Sequence, residues 1–197
     1  MLFRSVLVVG SGNGESVLHL EENLQLDRKY EVNCYELYGG SGVNYTLRLL
    51  NAGTPVFPVI ALGADDLGNK IRNEIVSASF KADISETIRS YLASGDFLNE
   101  NLTTQRAVIL VEAARRTIFA DKMQTGADHF LEQVKKAATF YKETYSSKNP
   151  CVMIGHIHSD HPECCSRKPG ECARYIIENL ADDCSVFCNF GSGQICI

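Results

Sequence analysis

No apolar stretch of the sequence approaches the length of a membrane span, which takes about 20 consecutive apolar residues. The opening segment from Met1 to Val9 is too short, and too soon followed by glycine, to resemble a signal peptide. No basic stripe offsets the formal net charge of −5, which argues against a nucleic-acid partner. We therefore expect a cytoplasmic protein with no membrane and no nucleic-acid partner.

The composition is that of an ordinary globular protein, with 45% hydrophobic and 22% charged residues. A chain of 197 residues is long enough to bury a core, so we expect a single domain over residues 1–197. Eight cysteines would also suit a secreted disulfide scaffold. The lack of a signal sequence and the large apolar content argue against that class.

The segment from Gly39 to Gly68 holds the densest set of special-purpose residues. Glycines at 39, 40 and 42 allow the backbone to approach a ligand closely or to adopt a positive φ. After them we predict a helix capped by Asn44 and ended by Gly53. The predicted buried face of this helix consists of Val43, Leu47 and Leu50.

An apolar strand over residues 54–62 is predicted next, returning beside the first strand of the chain. Asp65 and Asp66 then cap a second helix, whose apolar stripe is Leu67, Ile71 and Ile75. This order of glycine turn, helix, strand and helix is typical of an α/β sheet.

The first strand, beginning at Val6, runs into a second glycine-rich segment, which we predict to be a turn over residues 10–15. A dinucleotide-binding fingerprint would need a third glycine where Glu15 stands. A nicotinamide or flavin site is therefore disfavoured.

Regular patterns predict the remaining elements. Strands are expected at 17–20 and 30–37, each with one wet face, and at 151–155 and 184–189. Residues 106–112 and 116–121 are expected to form a β-hairpin. Helices are expected at 85–93, from Asp128 onwards, and at 170–181.

Two sets of residues resemble the first signature region of the ribokinase-like (PfkB) carbohydrate and nucleoside kinases. The first set resembles Gly-Gly-x-Gly-x-Asn and the glycine turns after it, and consists of Gly39, Gly40, Gly42, Asn44, Leu50, Gly53, Gly63, Asp66 and Gly68. The second set is similar to Gly-Ser-x-Asn-x-Asp, and consists of Gly10, Ser11, Asn13 and Glu15, with glutamate in place of aspartate.

The resemblance implies a Rossmann-like, doubly wound α/β sheet with helices on both faces. It also implies a small β-lid, whose strands would lie within residues 15–38 and 105–121. The resemblance covers most of this chain and stops before the second signature of the family. We therefore expect an incomplete domain whose carboxyl-terminal part is missing.

The implied function is ATP-dependent phosphorylation of a sugar or nucleoside hydroxyl, with ATP and Mg²⁺ expected for the full-length family. Asn13, Glu15 and Asn44 would bind hydroxyl groups, with the glycine turn at 39, 40 and 42 positioning the acceptor. Arg116 of the hairpin could also reach the ligand, although an exposed strand arginine is the simpler interpretation.

The segment Thr125-Gly-Ala-Asp128 is similar to the catalytic helix start of the family but lacks one glycine and the leading aspartate. We interpret Asp128 as a helix N-cap and assign no catalytic residue. The chain is then an acceptor-binding half that is inactive alone. Its expected macromolecular partner is a second copy or the missing carboxyl-terminal half.

The motif His156-x-His158-x-Asp160-His161 supports an alternative, a metal-dependent hydrolase. Such hydrolases need a further histidine downstream, and no histidine follows His161. The cysteines at 164, 165 and 172 could complete an incidental metal site, although their spacing is not that of a zinc finger. A third alternative is a non-catalytic module that binds sugar or mediates an interaction.

Overall fold

The computed structural model describes residues 5–82, 84–112, 115–121, 127–145, 150–155 and 171–189. Eight strands and five helices lie in these ranges. The strands are β1 (Val6–Ser11), β2 (Asn13–Leu20), β3 (Asn33–Gly39), β4 (Val56–Ala61), β5 (Gln105–Glu112), β6 (Arg115–Ala120), β7 (Cys151–Ile154) and β8 (Ser185–Cys188). The helices are α1 (Ser41–Asn51), α2 (Asp66–Ser79), α3 (Glu86–Ser94), α4 (Ala127–Tyr145) and α5 (Glu171–Leu180).

The central sheet consists of four parallel strands in the order β4-β1-β7-β8. Strands β1 and β4 are buried along their whole length, as expected for parallel strands covered on both faces. In the sheet, β4 lies on one side of β1 and β7 lies on the other. The chain therefore crosses the sheet in one direction from β1 to β4 and in the opposite direction from β4 to β7. Right-handed crossovers therefore place α1 on one face and α4 and α5 on the other. The predicted α/β architecture is confirmed.

The outer sheet consists of the other four strands, in the order β3-β2-β5-β6. Strand β2 runs antiparallel to β3 and parallel to β5, while β5 and β6 form the predicted antiparallel hairpin. The chain passes from the central to the outer sheet at Gly12, between β1 and β2. A Cβ at Gly12 would lie 2.6 Å from the Leu62 side chain, so this crossing is tightly packed.

Two expectations for this region are wrong. Residues 10–15 do not form a glycine turn, because all but Gly12 belong to β1 or β2. Strand β3 does not have one wet and one dry face, because residues 33–37 are all exposed. Alternation along β3 predicts a covered face, but none of the described residues packs over this strand closely enough to bury it.

Helix caps explain where α2 and α3 begin and where α1 ends. The Asp65 side chain caps α2 by accepting from the Gly68 amide, and Ser85 caps α3 by accepting from Ile88. Gly53 has a φ of 76° just after α1 and fills the predicted C-terminal position, where a left-handed residue favours glycine. Ile71 and Ile75 of α2 are fully buried, as their spacing predicts.

Two predicted caps are wrong. Helix α1 begins at Ser41 with Gly40 as its N-cap, so Asn44 lies inside the helix, where its amide donates to the Gly40 carbonyl. Gly40 occupies the N-cap position because its φ of 87° lies in the left-handed region that favours glycine. Helix α4 begins at Ala127, so Asp128 lies in its first turn and not before it.

None of the helices within the described ranges is both long and apolar enough to cross a membrane.

Candidate functional site

The candidate site lies where the two sheets meet at the carboxyl end of β1. Asn13 opens β2 and pairs with Gly39 of β3 on one side and with Gln105 of β5 on the other. Gly39 is followed directly by Gly40 and the first turn of α1. Strand pairing thus brings together Asn13, Gly39 and the start of α1, which are far apart in sequence.

Asn13 is the most informative polar residue at this junction. It is only 8% exposed, and its Oδ1 atom is buried with no hydrogen-bond partner among the described residues. An unpaired buried acceptor costs roughly 1–3 kcal/mol, so native proteins usually satisfy it with a group of the protein, a water or a ligand. A donor other than the described residues, such as a water or a ligand hydroxyl, would therefore satisfy the Asn13 oxygen.

The Glu15 carboxylate lies on the same side of β2 as Asn13, two residues further along. A Cβ added to Gly39 would overlap the Glu15 carboxylate and would lie 2.8 Å from Oδ1 of Asn13. The missing side chain of Gly39 therefore makes the space that the carboxylate occupies. One amide oxygen and one carboxylate are thus held side by side over the backbone of Gly39.

Glycines also bring α1 close to β1. A Cβ at Gly10 would lie 2.7 Å from the Gly42 amide nitrogen, and a Cβ at Gly42 would lie 3.0 Å from the Gly10 carbonyl carbon. Gly42 is buried, so the structure gives it a backbone packing role. Helix α1 begins without a side-chain cap, and the partial positive charge of its N-terminus lies beside Asn13 and Glu15.

The remaining predicted ligand residues lie further out. Asn44 is exposed on α1, one turn from its start. Arg116 is exposed on β6 and pairs with Val111, which in turn pairs with His19. Arg116 therefore lies in the same row across the sheet as His19, which is four residues from Glu15 along β2. The distance along the strands between this row and the row of Glu15 is about 13 Å.

A network of hydrogen bonds missed by the sequence patterns supports this junction. Asp65 accepts from the Gly68 amide at 2.7 Å and from the Thr104 amide at 2.7 Å. The Thr104 hydroxyl accepts from the Gly63 amide at 3.0 Å, which ties the turn after β4 to the start of β5. Burial by itself would raise the pKa of Asp65, but the hydrogen bonds from Gly68 and Thr104, together with the charge of Arg106, lower this pKa below its usual value.

Gln105 was also missed, because no motif marks it. It is 9% exposed, lies beside Asn13 in the register of β2 and β5, and donates through Nε2 to the Asp121 carbonyl at 2.6 Å. Its only sequence signal is a polar residue at the start of an apolar strand. It holds the end of β6 against the start of β5.

The alternative metal residues His156, His158, Asp160 and His161 lie outside the described residues. Within the described ranges, no group of three or more histidine, cysteine, aspartate or glutamate side chains could hold a metal ion. Among the described cysteines, Cys151 is buried, whereas Cys34 and Cys188 are exposed.

No protein-family model matches the sequence, and no curated protein shows a significant match to it. Solved structures of sugar kinases, in contrast, share its fold. A possible 1-phosphofructokinase from Thermotoga maritima matches 97% of this chain and 55% of its own, with a TM-score of 0.66 at 17% identity. The ribokinase from Giardia lamblia matches 98% and 52%, with a TM-score of 0.64 at 13% identity.

The fructokinase from Xylella fastidiosa, solved with bound ATP, matches 98% of this chain and 51% of its own, with a TM-score of 0.57 at 15% identity. The chain thus spans about half the length of these solved structures. Its fold is the ribokinase-like α/β fold, a parallel sheet flanked by helices.

Proposed function

We propose that this chain forms the acceptor-binding part of a PfkB-type kinase, which transfers the terminal phosphoryl group of ATP to a hydroxyl of a sugar or nucleoside. The observation that carries the proposal is the buried, unpaired Oδ1 atom of Asn13 beside the Glu15 carboxylate. The fold similarity to sugar kinases supports the same conclusion independently.

The two side chains suit neighbouring hydroxyl groups. The Asn13 oxygen accepts from one hydroxyl, and the Glu15 carboxylate accepts from a second as a charge-assisted and therefore stronger hydrogen bond. Binding the acceptor would also satisfy the unpaired Asn13 oxygen. The site is then preorganised, because the cost of burying that oxygen is already paid in the free protein.

The remaining parts of the site have supporting roles in this proposal. The backbone amides of Gly39 and Gly40 would position the acceptor, Asn44 would supply a further amide, and the outer sheet would act as a lid that excludes water. Arg116 lies on the same face of the outer sheet as Glu15, at the end far from the candidate site. The protein would work in the cytoplasm.

In the transfer itself, a bond forms between the acceptor oxygen and phosphorus while the bond to ADP breaks. The acceptor hydroxyl also loses a proton to a base. ATP and Mg²⁺ would supply the phosphoryl group and the charge that steadies it. The described residues offer no group fitted to Mg²⁺, so we assign neither its ligands nor the base. In this proposal those groups come from a further segment or a partner chain.

The two alternatives differ from this proposal in measurable ways. A non-catalytic binding module would bind its ligand in the same pocket, but no assembly that contains this chain would turn over ATP. A metal-dependent hydrolase would lose turnover in His158→Ala, and retain stoichiometric metal after dialysis. The fold similarity to sugar kinases favours the kinase.

Calorimetry with a panel of pentoses, hexoses and nucleosides tests the pocket. We expect at least one compound to bind the unchanged protein, and Asn13→Ala to weaken that binding about fivefold or more, since one hydrogen bond contributes about 1 kcal/mol. Asn33→Ala is the matched control, because Asn33 is exposed at the far end of the outer sheet. Equal binding by both variants, or no binding by any compound, would reject the proposed pocket.

A further inference from the structure

The face of the outer sheet that carries Asn13 and Glu15, called here the inner face, continues from the candidate site along β2. Strand pairing places Leu37 and Ala107 on either side of Glu15. Two residues further along β2, Val17 pairs with Tyr35 and Ile109, and Ile109 pairs with Ile118. Paired residues point to the same face of a sheet, so these side chains share the inner face.

Three of the large apolar residues on the inner face are exposed. Leu37 is 52% exposed, Tyr35 is 53% exposed and Ile118 is 49% exposed. Val17 and Ala107, closer to the centre, are buried. The next row holds His19, which meets Tyr35 edge-on with ring centroids 5.7 Å apart, together with Asn33 and Arg116. The inner face is therefore polar near Asn13, apolar in the middle and polar at the far end.

The opposite face has no such connection to the site. At its base, Gly14 lies under the Leu67 side chain of α2, where an added Cβ would be 2.9 Å away. Further along, Ser16 donates to Glu36 at 2.7 Å. Val108 and Phe119 are exposed beside them. Only the inner face is continuous with Asn13 and Glu15.

A free sugar presents hydroxyl groups on most sides and needs polar partners for them. Directly beside Glu15, however, the inner face offers Leu37, Ala107 and, one row on, Val17 and Tyr35. Such side chains favour an aromatic ring, which buries apolar area against leucine and packs against tyrosine. The hydroxyl-binding pair and the apolar surface are thus adjacent in one site.

We propose that the acceptor is a nucleoside, whose ribose hydroxyls are bound at Asn13 and Glu15 and whose base packs on the inner face against Leu37 and Tyr35. This inference rests on the proposed function. It narrows the acceptor to a sugar that carries an aromatic base. Covering of the inner face by a second copy of the chain is the competing explanation, and the experiment below distinguishes the two.

The test compares adenosine and uridine with free ribose by calorimetry, using the unchanged protein and two variants. Leu37→Ser alters the inner face, and Val108→Ser is the matched control on the opposite face, where Val108 is 39% exposed. Both side chains are partly exposed, so we expect both variants to fold. We expect a nucleoside to bind at least about tenfold more tightly than ribose, and Leu37→Ser to remove most of that difference without weakening ribose binding. Val108→Ser should change neither affinity.

Equal affinities for nucleosides and ribose, or a nucleoside affinity unchanged by Leu37→Ser, would overturn the nucleoside assignment while leaving the proposed kinase function intact. Binding of hexoses alone would do the same. Failure of every sugar and nucleoside to bind would instead count against the proposed function itself. Sedimentation velocity completes the test: a dimer that Leu37→Ser dissociates, with nucleoside binding unchanged, would show that a second copy covers the inner face.

Discussion

The Glu15 carboxylate occupies the position that a side chain on Gly39 would take. The two residues lie on neighbouring antiparallel strands, so the absence of a side chain on β3 determines where a charged group of β2 can rest. Glycine at position 39 thus does not serve backbone flexibility here. It shapes the candidate site by leaving room for a neighbour.

Gly39→Ala should therefore weaken acceptor binding while leaving the fold stable. The new methyl group meets the Glu15 carboxylate and Oδ1 of Asn13. The flexible Glu15 side chain can rotate away, but its carboxylate then leaves its binding position. Gly53→Ala is the control, since nothing lies within 4 Å of an added Cβ but φ is 76°. It should lower the free energy of unfolding by about 1 kcal/mol without altering binding. Calorimetry measures acceptor binding by both variants, and urea unfolding measures their stability. If Gly53→Ala weakened binding as much as Gly39→Ala, this account of Gly39 would be contradicted.

Thr46→Val should stabilise the protein by about 0.5–1 kcal/mol. Thr46 is fully buried in α1, and its hydroxyl oxygen has no partner among the described residues. Valine keeps the shape and removes the unpaired polar atom. Thr104→Val is the opposite case, because it leaves the Gly63 amide without its acceptor and should cost about 1–3 kcal/mol. Urea unfolding midpoints check both signs, and a destabilising Thr46→Val would mean that the hydroxyl has a partner.

Tyr141→Phe should destabilise the protein by about 1–3 kcal/mol. The Tyr141 hydroxyl is buried between the start of β1 and the start of β7. It donates to the Ser5 carbonyl at 2.9 Å, lies 3.1 Å from the Cys151 carbonyl and accepts from the Cys151 amide at 3.3 Å. Tyr91→Phe removes a single hydrogen bond, to the Pro58 carbonyl, and should cost about 1 kcal/mol. Thermal unfolding of both variants measures the loss of stability. A larger loss for Tyr91→Phe than for Tyr141→Phe would contradict the bridging role of Tyr141.

The free energy of unfolding should fall as the pH rises from about 9 to 12. Burial raises the pKa of Cys151 from 9.0 to about 11 and the pKa of Tyr141 from 10.0 to about 12. The unfolded chain releases these protons at lower pH than the folded chain, so alkaline conditions favour unfolding. The stabilisation is fully present below the unfolded pKa values and is lost as the pH passes the folded ones. Urea midpoints across this range test it, and Tyr141→Phe should flatten the slope above about pH 10.

This chain alone should bind an acceptor without useful phosphoryl transfer. Transfer depends on positioned charges and on a base, whose absence costs about a hundredfold to ten-thousandfold. The complete glycine-rich helix start that supplies these groups in PfkB kinases is not present in the sequence. A coupled ADP-release assay over sugars and nucleosides gives the answer. Turnover by this chain, abolished by Asp128→Asn, would show that Asp128 is the base.

Local patterns in the sequence determined most of the individual elements. The apolar runs at Val6 and Val56 became buried parallel strands, and Ile71 and Ile75 became the inner stripe of α2. Gly53 and Asp65 marked helix ends correctly. These signals are reliable because a helix or a strand depends on residues within about four positions of each other. The resemblance carried by the glycine signature then indicated the α/β architecture.

Only the tertiary structure decided how the site is assembled. Pairing of β2 with β3 and β5 brought Asn13 next to Gly39 and Gln105, which no local pattern connects. It also left Oδ1 of Asn13 unpaired and Leu37 exposed beside Glu15. The physical reason is that strand pairing, burial and hydrogen-bond satisfaction depend on residues far apart in the chain, whereas caps and periodicity depend on near neighbours. The sequence therefore named several site residues, and the fold determined their arrangement.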